Sequence, residues 1–440
     1  MREINRFGLF TVLLLALLSL VSCTAKTNST ENNLVNTPGS FDANNIDLLT
    51  PDSVTPTVKI TPSEAPPTIS VPYGKIAYTD NNGVHIIDTI GQSLADIKVE
   101  NIIGFGMIYD SPAWSPDGHW LAFVGTELRD INNGTYGYPD IYIVKNDGTG
   151  LKRLTSSPQY LKSNLSWSPD KRLLLLRMGI SIDSAPSKYD LYLINSDNGT
   201  VSHYIKEDVG GIIGWSSDGA NILFSDNENK ILYSSDKNGQ NIEEISKINI
   251  PSLNFVSLST NGNFFTYVTY FQYGDNIHCG DIFVNLGNEN STIQITDTVY
   301  DESSPEWSPD GNLLIFLREN TKCDYHPAKR WWNLVVADLK GNETIIPNQL
   351  EHPYDLAWAP VPNLQAGMEY IITQSGANLN IRSEPSLQGK VLEKLPAGET
   401  ITVLEGYVDA DDYYWWKIQT QDGIEGWIVE MAYWYKPLNE

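Results

Sequence analysis

Four side chains in the second half of the chain have the types that bind a metal or cross-link a fold: His278, Cys279, Cys323 and His326. Two imidazoles and two thiolates would suit tetrahedral zinc. The adjacency of His278 and Cys279 is awkward for a single tetrahedral site, and a disulfide is simpler. The chain holds three cysteines, and Cys23 lies at the end of an apolar N-terminal run. Cys279 and Cys323 remain as an even pair, which an oxidising compartment would join. The expectation is a Cys279–Cys323 disulfide and no metal.

A second group of residues suits recognition rather than catalysis. Arg129, Tyr136, Tyr138, Tyr273, Tyr325, His326, Arg330, Trp331 and Trp332 fall within the segments 126–140, 271–280 and 319–332. Tyr, Trp and Arg are enriched at binding hot spots, and loops carried by a rigid scaffold commonly bear function. These residues are the candidate binding face; equally, they could pack on one another. No G-x-S-x-G elbow and no H-E-x-x-H motif occurs, so no catalytic residue and no cofactor is assigned. Asp80-Asn81-Asn82-Gly83 echoes part of a calcium loop but lacks its distal Glu, and reads as a hairpin turn.

The elements that must position these side chains come from a recurring phrase. Trp114-Ser115-Pro116-Asp117-Gly118 returns as Trp167-Ser168-Pro169-Asp170, Trp215-Ser216-Ser217-Asp218-Gly219 and Trp307-Ser308-Pro309-Asp310-Gly311. A worn copy stands at Leu258-Ser259-Thr260-Asn261-Gly262, and a truncated one at Trp358-Ala359-Pro360. Successive copies are 53, 48, 43, 49 and 51 residues apart. After each turn come two short apolar runs, such as Leu121-Ala122-Phe123-Val124 and Ile141-Tyr142-Ile143-Val144, then a Gly-bearing turn and a last short run. The runs are too short for helices and rich in β-branched and aromatic residues. Four strands per repeat of this length make a propeller blade. The sixth unit stops after Leu356-Ala357-Trp358, and the segments 74–78 and 84–88 supply its missing strands. Closure of this kind removes exposed sheet edges.

At these residues the chain resembles the TolB-like family of WD-type propellers, over residues 73–361. The segment 364–440 has another grammar. Asn378-Leu379-Asn380-Ile381-Arg382-Ser383-Glu384-Pro385, Leu395-Pro396-Ala397-Gly398-Glu399 and Gly426-Trp427-Ile428 resemble a bacterial SH3-like (SH3b) domain. The resemblance implies a small barrel of five to six strands, with cell-wall peptides or polymers as ligands in many members. Tyr407, Tyr413, Tyr414 and Trp415 lie near that family's variable loop, placed either to stack on a ligand or to cover the barrel end. The expected fold is all-β, a six-bladed β-propeller followed by a small SH3-like β-barrel.

The N-terminus is a targeting segment. Arg2 and Arg6 precede an apolar run over residues 7–22, short for a membrane span of about 20 residues. Leu20-Val21-Ser22-Cys23 is similar to a bacterial lipobox, which implies a signal peptide over 1–22 and a diacylglyceryl group on Cys23. Residues 23–72 are a Thr-, Pro- and Asn-rich tether with too little apolar surface to fold. The net charge is −25, which disfavours nucleic acid because phosphate binding needs a basic surface. The expected role is an extracytoplasmic, lipid-anchored scaffold. Its propeller would bind a protein or glycan partner, and its barrel would contact peptidoglycan. The alternative is a propeller-based hydrolase or lyase acting on an extracellular polymer or peptide.

Overall fold

The computed structural model describes Ile69, Val71 and most residues from 74 to 438, with breaks that include 101–105, 181–187, 248–253, 274–276 and 324–328. Residues 1–22, expected as a signal peptide, and nearly all of 23–72, expected as a tether, lie outside the described residues. No α-helix occurs among the described residues.

Six four-stranded antiparallel sheets form a propeller. Blade 1 comprises Gly106–Trp114, Trp120–Ile131, Gly134–Lys145 and Lys152–Arg153. Blade 2 runs from Tyr160–Trp167 to Val201–Ile205, and blade 3 from Val209–Trp215 to Glu243–Lys247. Blade 4 runs from Asn254–Leu258 to Thr292–Gln294, and blade 5 from Tyr300–Trp307 to Glu343–Leu350. Blade 6 closes the ring. Its innermost strand is Leu356–Trp358, paired antiparallel to Lys75–Asp80 through Ile76↔Trp358 and Tyr78↔Leu356. Distant parts of the chain therefore share one sheet.

The repeated phrase does two jobs. Its serine builds the turn. Ser115 Oγ accepts from Trp120 N at 2.9 Å and donates to Asp117 at 2.6 Å. The same acceptance, five residues back, recurs at Ser168, Ser216, Ser259 and Ser308, at 2.8–2.9 Å. The worn copy has lost its Trp, Pro and Asp yet keeps this bond. The tryptophan joins blades. Trp114 Nε1 donates to Ala357 O at 3.2 Å, Trp167 to Ala113 O at 3.0 Å, Trp215 to Ser166 O at 3.3 Å and Trp307 to Ser257 O at 3.3 Å. Each acceptor lies on the innermost strand of the preceding blade, one residue before that blade's own copy of the phrase.

The propeller core is six seams between neighbouring blades, not one interior. The seam of blades 1 and 2 holds Leu174, Leu176, Ile141 and Val124 beneath Trp167. Where Leu258 replaces Trp, the seam of blades 3 and 4 keeps four buried residues among those described: Ile212, Leu232, Phe265 and Tyr267. The loss of one large aromatic and its N–H leaves this the thinnest joint.

The C-terminal domain is a curled sheet ordered Val391–Leu395, Leu379–Arg382, Glu425–Val429, Tyr413–Thr420, Thr400–Val403, Glu369–Ile372 and Tyr435–Pro437, with Val408–Ala410 paired to Tyr413–Thr420. It has eight strands, more than the five to six implied by resemblance. Its short strands Val408–Ala410 and Tyr435–Pro437 carry little sequence signal. Ile381, Ile401, Val403, Ile418 and Ile428 fill its core. Buried Glu430 accepts from Trp416 Nε1 at 2.6 Å and from Leu364 N at 3.1 Å, fixing where the chain enters the domain.

Trp167→Phe keeps an aromatic ring in the seam but removes one inter-blade hydrogen bond and part of the indole, at a cost of about 1–2 kcal/mol; Trp167→Ala leaves a cavity in the seam and costs about 3–5 kcal/mol. Denaturant unfolding of the two variants checks this order. In native-state hydrogen exchange, the facing strands of blades 3 and 4 should exchange before those of the other seams.

Candidate functional site

Two ends of the propeller carry different chemistry. At one end lie the hairpins joining second to third strands. In blade 1 this hairpin is no loop: Trp120–Ile131 and Gly134–Lys145 pair without interruption to Ile131↔Gly134, with Arg129 opposite Tyr136 and Glu127 opposite Tyr138. Blade 4 likewise pairs as far as Tyr273↔Ile277, and in blade 5 Glu319 pairs with Trp332. The segments 126–140 and 271–280, read above as loops, are two-stranded ribbons. They extend the sheets of blades 1 and 4 outward, and at their bases Asp140 and Cys279 are buried. Tyr325 and His326 lie outside the described residues.

The candidate face is divided: Arg129, Tyr136 and Tyr138 lie on the blade 1 ribbon, Arg330 stands by the seam of blades 4 and 5, and Trp332 packs on the seam of blades 5 and 6. Cys279 and Cys323 are joined in a disulfide with Cα atoms 5.9 Å apart. Cys279 is buried, and Cys323 N donates to Val299 O at 3.0 Å. Beside it, Gly280 N donates to Asp301 Oδ1 at 2.8 Å. Burial, aided by the charge of Glu319, pushes the Asp301 carboxyl up to about 6 despite this bond and nearby Arg330. Arg330 Nε reaches Glu319 at 3.4 Å. Trp331 N donates to Asn320 Oδ1 at 3.2 Å, and the Trp332 ring lies 5.5 Å from that of His352. Arg330, Trp331 and Trp332 are half-buried and Phe271 is exposed. Among the described residues no three His, Cys, Asp or Glu side chains are arranged to hold a metal.

The central channel, where a propeller-based hydrolase or lyase would act, holds carboxyls that the sequence does not single out. Every innermost strand of blades 1 to 5 has a register shift just before the repeated phrase. Ser111, Asn164, Phe255 and Ser304, each three residues before it, have φ of 49–52°. These bulges turn polar groups across to the next blade. Ser111 N donates to Asp355 Oδ2 at 2.9 Å, and Ser257 Oγ to Glu306 Oε2 at 2.7 Å. Asp110, Glu306 and Asp355 keep some accessible surface but are enclosed by the ring. Enclosure pushes Asp110 up to about 7 and Glu306 up to about 8, with Asp355 adding repulsion in both cases. Asp355 is itself raised by burial. The three stand four, one and three residues before their copies of the phrase. They share no register position, so no repeating signature marks them.

At the other end are the turns of the phrase, and there the C-terminal domain docks. His119 Nε2 lies 3.2 Å from Asp409 Oδ1, and its ring 4.1 Å from that of Tyr414. Lys171 Nζ contacts Asp117 at 2.6 Å and stands 3.5 Å from the Tyr413 ring. Asn146 Nδ2 donates to Tyr414 Oη at 3.4 Å. Burial pushes both tyrosines up to about 12. Trp415 is wholly buried, and Tyr407 is half exposed. Of the aromatic cluster expected near the variable loop, Tyr413 and Tyr414 thus face the propeller, and Trp415 donates its Nε1–H to Ala410 O at 2.8 Å.

The profile of the bacterial SH3 domain matches residues 377–433. The C-terminal segment is a bacterial SH3 domain. The chain is also 36% identical over 66 residues to the Tol-Pal system protein TolB of Syntrophus aciditrophicus. That match spans 15% of this chain and 13% of the relative. Among solved structures, TolB from Acinetobacter baumannii is 19% identical with a TM-score of 0.46, over 66% of this chain and 67% of that one. An oligogalacturonate lyase in complex with manganese is 13% identical with a TM-score of 0.39, over 60% of this chain and 74% of that one. The propeller is thus similar to TolB in sequence over a short stretch.

Two tests follow from this geometry. The disulfide closes a sequence separation of 44 residues, which stabilises by roughly 4 kcal/mol in the chain-entropy view. Cys279→Ser with Cys323→Ser should lose about that much, and an unreduced digest of the parent should yield one peptide containing both residues. Raised carboxyls bind more protons folded than unfolded, so their contribution to stability is fullest below the ordinary Glu and Asp range. It is lost as pH climbs through about 7 at Asp110 and about 8 at Glu306. The thermal midpoint of Glu306→Gln should accordingly fall less than the parent's between mildly acidic and mildly alkaline pH.

Proposed function

We propose that this protein is a cell-envelope scaffold, held to a membrane by a diacylglyceryl group on Cys23. The hairpin end of the propeller binds a protein or glycan partner, and the SH3 domain contacts peptidoglycan. The observation that carries this reading is the joining of a bacterial SH3 domain, over residues 377–433, to a six-bladed propeller in one compact unit. A signal peptide over 1–22 and a tether over 23–72 complete the arrangement. On this reading the folded domains lie at 73–361 and 364–440, outside the cytoplasm. The exposed Phe271 and half-buried Arg330, Trp331 and Trp332 supply flat aromatic and cationic surface of the kind found at hot spots.

A second reading, a hydrolase or lyase acting on an extracellular polymer, draws on the channel. Carboxyls raised to about 7 and about 8 hold a proton near neutral pH, as a general acid must.

Sedimentation with purified peptidoglycan separates the two. The scaffold should co-sediment, and Glu306→Gln should co-sediment equally. Absence of the parent from the pellet removes the wall contact. Release of soluble fragments by the parent but not by Glu306→Gln favours the enzyme. In cells, Cys23→Ser should move the protein from the detergent phase to the aqueous phase.

A further inference from the structure

The docked surface at the turn end has a composition unlike a loose contact. On the barrel side, Asp409, Tyr413 and Tyr414 belong to one hairpin, in which Ala410 pairs with Tyr413. On the propeller side, His119 and Asn146 come from blade 1 and Lys171 from blade 2. The hairpin therefore straddles a seam. Its two tyrosines meet different partners, Tyr414 the His119 ring and Asn146, Tyr413 the Lys171 ammonium.

Charge is matched across the contact. Lys171 is held by Asp117, whose side chain is fully buried, and Asp409 stands between His119 and the neighbourhood of Lys75. Lys75 Nζ also reaches Asn146 O at 3.5 Å. Separating the barrel from the propeller would expose two tyrosine rings, and would strip His119 and Lys171 of their aromatic neighbours. A cation over a ring contributes most where water is excluded.

We propose that the hairpin 408–415 is an intramolecular latch whose partner is the turn end of the propeller. The two domains then move as one rigid body, with the hairpin end left open. The latch rests on the proposed function only in giving that open end to a partner. Its consequence is directional. The turns and the long hairpins terminate opposite ends of the same strands, so a latched barrel holds whatever it binds on the side away from Arg330 and Trp331. Tyr413 and Tyr414 are then structural, and a wall ligand must engage the barrel elsewhere.

Hydrogen exchange on the full chain tests this reciprocally. His119→Ala, on the propeller, should speed exchange several-fold in residues 408–415 of the barrel. Tyr414→Ala, on the barrel, should do the same in residues 117–120 of the propeller. Small-angle scattering should show a larger radius of gyration for both variants. Should Tyr414→Ala fail to fold, His119→Ala still reads the barrel hairpin from the other side. Unchanged exchange across the contact, or parent scattering that needs two independent bodies, overturns the latch. Parent protein that is rigid yet stays out of a peptidoglycan pellet refutes the wall contact and leaves the latch standing. Loss of sedimentation in Tyr413→Ala with Tyr414→Ala, with exchange unchanged, overturns the latch.

Discussion

The propeller depends on the donation of a tryptophan N–H to the innermost strand of the blade before. A six-fold ring of sheets has no central core to organise it. Each blade must find its neighbour at a fixed angle, and apolar packing alone is non-directional. An indole supplies both needs, since its rings fill the seam while its one donor selects a single carbonyl. Trp114, Trp167, Trp215 and Trp307 all make this bond. Blade 4 carries Leu258 instead, and there the buried seam shrinks to its smallest. The disulfide lies at the next joint, between blades 4 and 5. A covalent cross-link thus stands one seam away from the weakest one.

The channel has a constraint of its own. The innermost strands of blades 1 to 5 bulge just before the phrase, and left-handed residues there turn polar atoms toward neighbouring blades. Ser111, Asn164 and Ser304 each bond across a blade boundary as a result. The carboxyls Asp110, Glu306 and Asp355 are enclosed by the ring. Enclosure raises all three, and repulsion by Asp355 adds to it at Asp110 and Glu306, two causes that act in the same direction on an acid.

The two ends of the blades divide the labour. Ser-based turns are short and uniform because a single hydroxyl closes each of them, and uniform turns make a level surface on which a second domain can sit. The hairpins at the other end differ in length from blade to blade. Segments of variable length carried on a rigid scaffold are the usual condition for recognition surface. Cys279 and Cys323 restrain two of the hairpins where they meet.

Much of this was legible in the chain itself. The spacing of the phrase gave the blade count, and the stranded segments 74–78 and 84–88 gave the closure, because both are local patterns repeated or left incomplete. The expectation of a Cys279–Cys323 pair rests on cysteine number and compartment, and the fold brings the two together. Other features depended on distance in space. Asp110, Glu306 and Asp355 are unremarkable residues at unlike positions, and only a closed ring brings them together. The ribbon of blade 1 lacks apolar alternation, so its strands declare themselves only through pairing. Tyr413 and Tyr414 suit a ligand platform by type; the tertiary structure decided otherwise by placing His119 and Lys171 against them. Periodicity and residue type determine which units form, since those are properties of neighbours along the chain. Which surfaces remain open is settled by what the folded units cover.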